Sequence, residues 1–151
     1  MKYYVIAGEP SGDLHASNMM KELLLLDSSI EFRFWGGDLM EAVTHQKPRK
    51  HIKDLAFMGF VEVVKNIRTI FKNIAFCKQD ILDFKPEILI LVDYPGFNLR
   101  IADWAKQQGV RVFYYISPTI WAWKEDRVEI IKRSVEKMFV ILPFEVAVYK
   151  K

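Results

Sequence analysis

The sequence lacks the residues and segments that several classes of protein require. Only one of its 151 residues is a cysteine, Cys77, which excludes an internal disulfide framework and a multi-cysteine zinc site. No apolar run approaches the roughly 18 residues of a spanning helix, and the first residues lack the apolar core of a secretory signal. We therefore expect a cytoplasmic, reducing setting in which any contact with a membrane is peripheral.

The excess of positive charge is also small. Lysine and arginine number 22 against 19 acidic residues, a net charge of +3, which does not indicate a nucleic acid partner. Apolar residues make up 51% of the chain and charged residues 27%, which is typical of a globular protein. One domain of this length can fold without disulfides or a structural metal. The histidines lack ligand spacing, so no metal site is predicted.

Short apolar runs alternate with longer stretches of helical period, the pattern of a parallel sheet covered by helices. Strands are predicted at Tyr3–Ala7, Glu31–Trp35, Ile88–Val92, Arg111–Ile116 and Lys137–Leu142, with a brief sixth at Ile52–Leu55. Helices are predicted at Leu14–Leu26, Leu39–Val43, Phe60–Phe84 (as one helix or two), Leu99–Gln108 and Lys124–Val135. Ligands of such folds lie beyond the carboxyl ends of the strands. The turn that begins at Pro143 has no stop signal, so we also expect a truncated chain.

The loop Gly8–Asp13 follows the first predicted strand and has the glycines of a tight connection to a helix. Its carboxylates, Glu9 and Asp13, would repel a phosphate, whereas carboxylates and the Ser11 hydroxyl are suited to sugar hydroxyls. The loop is neither a dinucleotide-binding fingerprint nor a P-loop. The alternative is a turn in which Ser11 or Asp13 caps the following helix.

Asp93 comes directly after the most apolar predicted strand, and Asn98 follows as a candidate helix cap. A carboxylate at the end of a buried strand is partly desolvated, which raises its pKa toward the range of a general base. The alternative is an aspartate that forms a turn by bonding its own backbone. Cys77 lies in a helical pattern and is expected to be a buried packing residue.

Two tryptophans, Trp121 and Trp123, lie in the loop that begins at Ser117, after another predicted strand. Sugars and bases stack on such rings, and Arg127, one turn later, is suited to an anion. The alternatives are a loop packed by its own indoles and a surface ion pair for Arg127.

The segment from Phe60 to Lys78 combines many apolar residues with four cations and one acid. A basic amphipathic helix with so broad an apolar face is typical of an element on a membrane surface. The alternative is a core helix. The residues expected to face lipid are Phe60, Val61, Val64, Lys65, Ile67, Arg68, Ile70, Phe71 and Lys72.

Five motifs occur in a characteristic order across essentially the whole chain. They are Gly8–Asp13, Phe57–Val63, Lys85–Glu87 leading to Asp93–Asn98, Tyr114–Pro118 with Trp121–Trp123, and Leu142–Glu145. Together they resemble the lipid-A-disaccharide synthase family. Members of that family often carry a second acid at the position of Gly96, so any role of that acid does not transfer to this chain.

The resemblance implies an α/β fold, a Rossmann-like parallel sheet flanked by helices, with residues 1–151 as the acceptor-side, amino-terminal half of a two-domain GT-B glycosyltransferase. The implied reaction is inverting: UDP-2,3-diacylglucosamine glycosylates 2,3-diacylglucosamine 1-phosphate at the inner membrane. The carboxyl-terminal half, with most donor contacts, is expected to be missing. No metal or cofactor is implied.

Asp93 matches the proposed catalytic base of the family. The residues expected to bind substrate are Glu9, Ser11, Gly12, Asp13, Met58, Asn98, Ser117, Trp121, Trp123 and Arg127. Two rival classes share features with this interpretation: a nucleotide-sugar epimerase of related architecture, and a module that binds the acceptor or the membrane without turnover.

Overall fold

The computed structural model describes residues 1–55, 67–116 and 126–139. The strands are β1 (Lys2–Ala7), β2 (Glu31–Trp35), β3 (Ile88–Val92), β4 (Arg111–Tyr115) and β5 (Lys137–Phe139). The α-helices are α1 (Pro10–Leu26), α2 (Asp38–Thr44), α3 (Ile67–Phe84), α4 (Pro95–Gln107) and α5 (Asp126–Ser134), and a 3₁₀-helix covers Ile52–Leu55. No helix within these three ranges is long and apolar enough to cross a membrane.

The strands form one parallel sheet in the order β2-β1-β3-β4-β5. The chain leaves β1 in one direction to form β2 and returns to the other side of β1 to form β3. The boundary between β1 and β3 is therefore a topological switch point, where ligands of doubly wound sheets bind beyond the carboxyl ends of the strands. This topology confirms the predicted Rossmann-like fold.

Alternating side chains of each strand bury the two faces of the sheet against different helices. Val5 and Ala7 of β1 pack in the cluster formed with α1 and α2. Tyr4 and Ile6 pack in the cluster on the opposite face, with α3, α4 and α5. All five residues of β3 are buried, as expected for a central parallel strand covered on both sides.

Ile52–Leu55 is a 3₁₀-helix and not the predicted sixth strand. The residue before this segment, His51, forms a single parallel bridge with Gly36. The Asp54 amide then donates to the His51 carbonyl at 2.9 Å, which turns the backbone away from the sheet. One bridge is too short a ladder to extend the strand pairing.

Two helices begin earlier than predicted, and both begin at a proline. α1 starts at Pro10 and α4 at Pro95, because proline has the backbone angle of a first helical residue and loses no hydrogen bond there. Asn98 is therefore inside the first turn of α4 and is not its cap. At the other end, Gly109 adopts a φ of +81°, as expected for a residue that ends a helix.

A buried carboxylate, Asp80 of α3, joins the helix to the edge of the sheet. Its oxygens accept hydrogen bonds from the Tyr4 hydroxyl at 2.7 Å, from Arg33 at 3.0 Å and from Arg49 at 3.2 Å. Neighbouring Cys77 is fully buried, and burial raises the pKa of its thiol. This confirms Cys77 as a packing residue, since a nucleophilic cysteine needs a lowered pKa.

Candidate active site

Asp93 lies at the carboxyl end of β3, beside the switch point, on an unusual backbone. Asp93 and Tyr94 have φ angles of 46° and 53°, a left-handed conformation that residues other than glycine rarely adopt. Such a backbone is unfavourable by about 1–3 kcal/mol per residue and is found mainly at functional sites. The conformation turns the chain sharply from β3 into α4.

Two neighbouring side chains hold this turn by binding the Asp93 carbonyl. Asn98 donates to it through Nδ2 at 2.8 Å, and Tyr114 donates through its hydroxyl at 2.5 Å. Asn98 is fully buried, and its Nδ2 also lies 3.4 Å from the carbonyl of Ile6. Asn98, predicted to bind substrate, is thus placed to position Asp93 and to link the ends of β1 and β3.

The surroundings of Asp93 favour the protonated form of its half-buried carboxyl. Burial raises the pKa of Asp93, the negative charge of Glu9 raises it further, and a hydrogen bond from the Tyr94 amide opposes both effects. Burial and Glu9 likewise raise the pKa of the Tyr94 hydroxyl. A carboxylate with a raised pKa is a stronger base, so Asp93 has the electrostatic setting of a proton acceptor.

Glu9 and Ser11 are exposed residues of the loop that joins β1 to α1. Glu9 occupies the position before the first residue of α1, and its own side chain forms no capping hydrogen bond. Asp13 accepts hydrogen bonds from amides at the start of α2, so the alternative in which Asp13 caps α1 is wrong. Glu9 and Ser11 both line a cavity of the structure, where the carboxylate and the hydroxyl can meet hydroxyl groups of a ligand.

Gly12 and Asp13 are buried and contact other parts of the protein. A Cβ atom at Gly12 would lie 3.3 Å from the Cβ of Ala7, so glycine allows α1 to lie close to β1. The Asp13 carboxylate accepts hydrogen bonds from three backbone amides at the start of α2, at 2.9 to 3.1 Å. These contacts make Asp13 the cap of α2 and give it a structural role.

The ring of Tyr94 lies against Gly8, the last residue before Glu9. A Cβ atom at position 8 would lie 2.3 Å from the ring, closer than any side chain permits. The same ring stacks on Phe97 with centroids 5.5 Å apart. Gly8 therefore lets the loops after β1 and β3 come into direct contact.

A cavity of about 1170 Å³ opens beside these loops. Glu9, Ser11 and Tyr94 are among its polar lining residues. Its apolar wall includes four side chains of α3, which are Ile67, Ile70, Phe71 and Ile74. The cavity thus combines groups suited to a sugar with a surface suited to a hydrocarbon chain.

The residues predicted to face lipid divide into two groups within α3. Ile67 and Phe71 are 52% and 54% exposed, and Arg68 and Lys72 are exposed beside them. Ile70 is partly buried against the core. The predicted residues Phe60, Val61, Val64 and Lys65 lie outside the described residues.

Several other predicted substrate contacts also lie outside the described residues. They are Met58, Ser117, Trp121 and Trp123. Arg127 lies in the first turn of α5. The roles assigned to these residues stay predictions.

A family model described as lipid-A-disaccharide synthetase matches residues 3–151. The chain belongs to this family. It is similar to the lipid-A-disaccharide synthase of Geobacter metallireducens, with 45% identity over 97% of the chain. A Legionella pneumophila member, lipid-A-disaccharide synthase 1 of strain Paris, is 41% identical over the same share. The chain spans 38% of the length of each of these relatives.

Solved structures outside the lipid-A-disaccharide synthetase family share its fold. A UDP-GlcNAc 2-epimerase from Neisseria meningitidis, solved with UDP-GlcNAc, superposes with a TM-score of 0.62 at 14% identity. A putative UDP-N-acetylglucosamine 2-epimerase from Listeria monocytogenes gives 0.63 at 12% identity. Each match covers 93% of this chain and 39–40% of the solved chain. At such low identity the likeness is one of fold.

Sequence reasoning missed three residues of the candidate active site. Tyr114 lies in a strand. Arg100 lies in a helix and lines the cavity. Neither residue differs in the sequence from an ordinary structural residue. Tyr94 follows Asp93 directly, but its contact with Gly8 depends on the sheet order. The one available signal was position, since Tyr94 belongs to a loop at the carboxyl end of a strand.

Proposed function

We propose that residues 1–151 form the acceptor-side domain of an inverting GT-B glycosyltransferase that makes the disaccharide of lipid A. Its substrates are UDP-2,3-diacylglucosamine and 2,3-diacylglucosamine 1-phosphate, and its products are the disaccharide 1-phosphate and UDP. The observation that carries this proposal is the position of Asp93, a half-buried carboxylate of raised pKa whose neighbours Glu9 and Tyr94 line a cavity with an apolar wall.

In the proposed reaction Asp93 accepts the proton of the acceptor 6-hydroxyl. The resulting oxygen nucleophile attacks the anomeric carbon of the donor while the bond to UDP breaks, and this single displacement inverts the anomeric centre. Asn98 and Tyr114 hold the Asp93 backbone in place. Glu9 and Ser11 bind sugar hydroxyls, and the wall formed by α3 receives an acyl chain of the acceptor. No metal or cofactor is part of this proposal.

The donor contacts are assigned to the part of the relatives that this chain does not cover. The chain spans 38% of the Geobacter metallireducens relative, so most of that relative's length lies outside it. We therefore expect the isolated chain to form no disaccharide. When it is joined to the remaining part of that relative, a radiolabelled donor should yield disaccharide and UDP.

The outcomes of this assay separate the proposal from its alternatives. Disaccharide made by the isolated chain would contradict the division of substrates between the two parts. A folded, joined enzyme that binds the acceptor without turnover would support the binding-only module. Conversion of the nucleotide sugar without an acceptor would support the epimerase.

The pH dependence of the joined enzyme tests the pairing of Glu9 with Asp93. The charge of Glu9 raises the pKa of Asp93, so Glu9→Gln should lower that pKa. Because the reaction needs the ionised base, the acidic limb of kcat/KM should move to lower pH. Glu22 is exposed farther along α1. Glu22→Gln is therefore the matched control and should leave the acidic limb in place. An unmoved limb in Glu9→Gln would exclude the coupling.

A peripheral position on the inner membrane is part of the same proposal. The exposed Ile67 and Phe71 would enter the lipid while Arg68 and Lys72 meet its phosphates. The double substitution of Ile67 and Phe71 by serine should weaken binding to anionic vesicles by at least about tenfold, because two apolar side chains lose burial. Its melting temperature should change little.

Ile74→Ser is the matched control for this membrane test. Ile74 is only 8% exposed, and loss of a buried aliphatic side chain costs about 2–5 kcal/mol. This variant should melt earlier and still bind vesicles while folded. If the double variant melts earlier with unchanged vesicle sedimentation, the membrane assignment of α3 is wrong.

A further inference from the structure

Arg100 is an arginine of the cavity that has no carboxylate partner among the described residues. Four other arginines, Arg33, Arg49, Arg111 and Arg133, each form an ion pair with an acid. Arg100, in contrast, is exposed, lines the cavity and forms no ion pair with a described residue. An arginine without a partner beside a cavity is available for an anionic ligand.

Lys53 is a second cation on the cavity wall. Its side chain is exposed and forms no ion pair with the described part of the chain. Its neighbours Asp38 and His51 are bound to each other, with Oδ1 and Nε2 2.8 Å apart. The His51 Nδ1 accepts the Lys53 amide at 3.1 Å. Both ring nitrogens are therefore occupied. The Lys53 ammonium forms no ion pair with a described residue, but its positive charge, after the hydrogen bond from His51, helps to lower the pKa of Asp38.

Two of the three acids of the cavity are bound to other groups. Asp13 is bonded to backbone amides, and Asp38 is bonded to His51. Glu9 lies at the start of α1, where it interacts electrostatically with Asp93. The cavity lining therefore combines these carboxylates with two cations, Arg100 and Lys53, and neither cation forms an ion pair with a described residue.

Arg100 lies on α4, the helix that follows the candidate base. It follows Pro95 by five residues, which corresponds to about 7.5 Å along a helix axis. Gly96 lies one turn before Arg100 on the same side of α4. No described atom lies within 4 Å of the place where a Cβ of Gly96 would be, so neither a side chain at position 96 nor another described residue fills that place.

We propose that Arg100, assisted by Lys53, binds the anomeric phosphate of the acceptor and so directs its 6-hydroxyl toward Asp93. This inference rests on the proposed function. A phosphate monoester offers several acceptor oxygens to the planar guanidinium, which can bind two of them at once. Holding the sugar at its phosphate end fixes the hydroxyl at the opposite end, which lowers the entropic cost of reaching the transition state. The same contact selects the acceptor over the donor, whose anomeric substituent is a nucleoside diphosphate.

The test compares two ligands and two matched arginine substitutions in the 151-residue chain. The ligands are 2,3-diacylglucosamine 1-phosphate with short acyl chains and the same compound without its phosphate. Affinities are measured by titration calorimetry below the micelle concentration. Arg100→Gln removes the proposed phosphate ligand. Arg111→Gln is the control, because Arg111 is also an exposed arginine but does not line the cavity.

The wild-type chain should bind the phosphorylated ligand at least about tenfold more tightly, the scale of a charge-assisted hydrogen bond. Arg100→Gln should abolish this preference without changing the affinity for the unphosphorylated ligand. Lys53→Gln should reduce the preference, and Arg111→Gln should preserve it. Equal binding of both ligands by the wild-type chain, or equal losses in the two arginine variants, would overturn the phosphate site alone. Binding of neither ligand would overturn the proposed function and the phosphate site with it.

Discussion

Asp93→Asn should lower the turnover number of the joined enzyme by at least roughly a hundredfold, because a positioned general base contributes about 10²–10⁴-fold. Asparagine keeps the size of the side chain but cannot accept the proton. Affinity for the donor should stay similar, since Asp93 is not assigned to the donor. Steady-state rates of UDP release, with donor affinity measured separately, give both quantities.

A melting curve of the same variant separates loss of the base from loss of the fold. The pKa of Asp93 is raised in the folded protein by burial and by Glu9, so the folded state binds this proton more tightly than the unfolded state does. The stability that the carboxyl contributes is therefore present below its unfolded pKa and is lost as the pH rises through the folded pKa. A neutral asparagine should melt no earlier than aspartate at neutral pH. Near-normal turnover would assign Asp93 to the turn alone.

Asp80→Asn should lower the free energy of unfolding by about 3 kcal/mol, the low end of the cost of breaking a buried ion pair. The low end applies because its partners Arg33 and Arg49 are 32% and 45% exposed and can be hydrated when the charge is lost. Asparagine would also direct an amide donor toward their guanidinium groups. The melting temperature should fall by about 6–12 °C for a chain of this size.

Asp83→Asn is the control for Asp80→Asn. Asp83 is exposed on the same helix and bonds to Gln79 at 2.9 Å, so its loss should change stability by less than about 0.5 kcal/mol. Urea titrations of the two variants under the same conditions give the comparison. Equal midpoints would mean that Asp80 contributes no more than a surface carboxylate.

The sheet could be predicted from the sequence because β3 is a continuous apolar run and β2 alternates polar with apolar residues. β2 and β3 have the predicted bounds, Glu31–Trp35 and Ile88–Val92. The predicted strand at Ile52–Leu55 is wrong, since this segment is a 3₁₀-helix that follows a single bridge at His51. Composition cannot distinguish a short strand from a short helix beside a single bridge.

The candidate base was predictable from its position, whereas its supports were not. Asp93 could be found because it follows an apolar strand, as ligand-end residues of this fold do. The role of Asn98 depends on the left-handed turn at Asp93 and Tyr94. Neither residue type predicts such a backbone. The Asp80 network joins Tyr4 to a carboxylate on α3, a contact that exists only after the sheet and the helix have packed.

The contact between Gly8 and Tyr94 makes two distant positions of the chain depend on each other. Any side chain at position 8 would displace the Tyr94 ring, and Tyr94 directly follows the candidate base. The pair should therefore evolve as one unit: an alanine at position 8 requires a smaller residue at position 94. A substitution at position 8 alone would move the ring beside the candidate base and so disturb the position of its carboxylate.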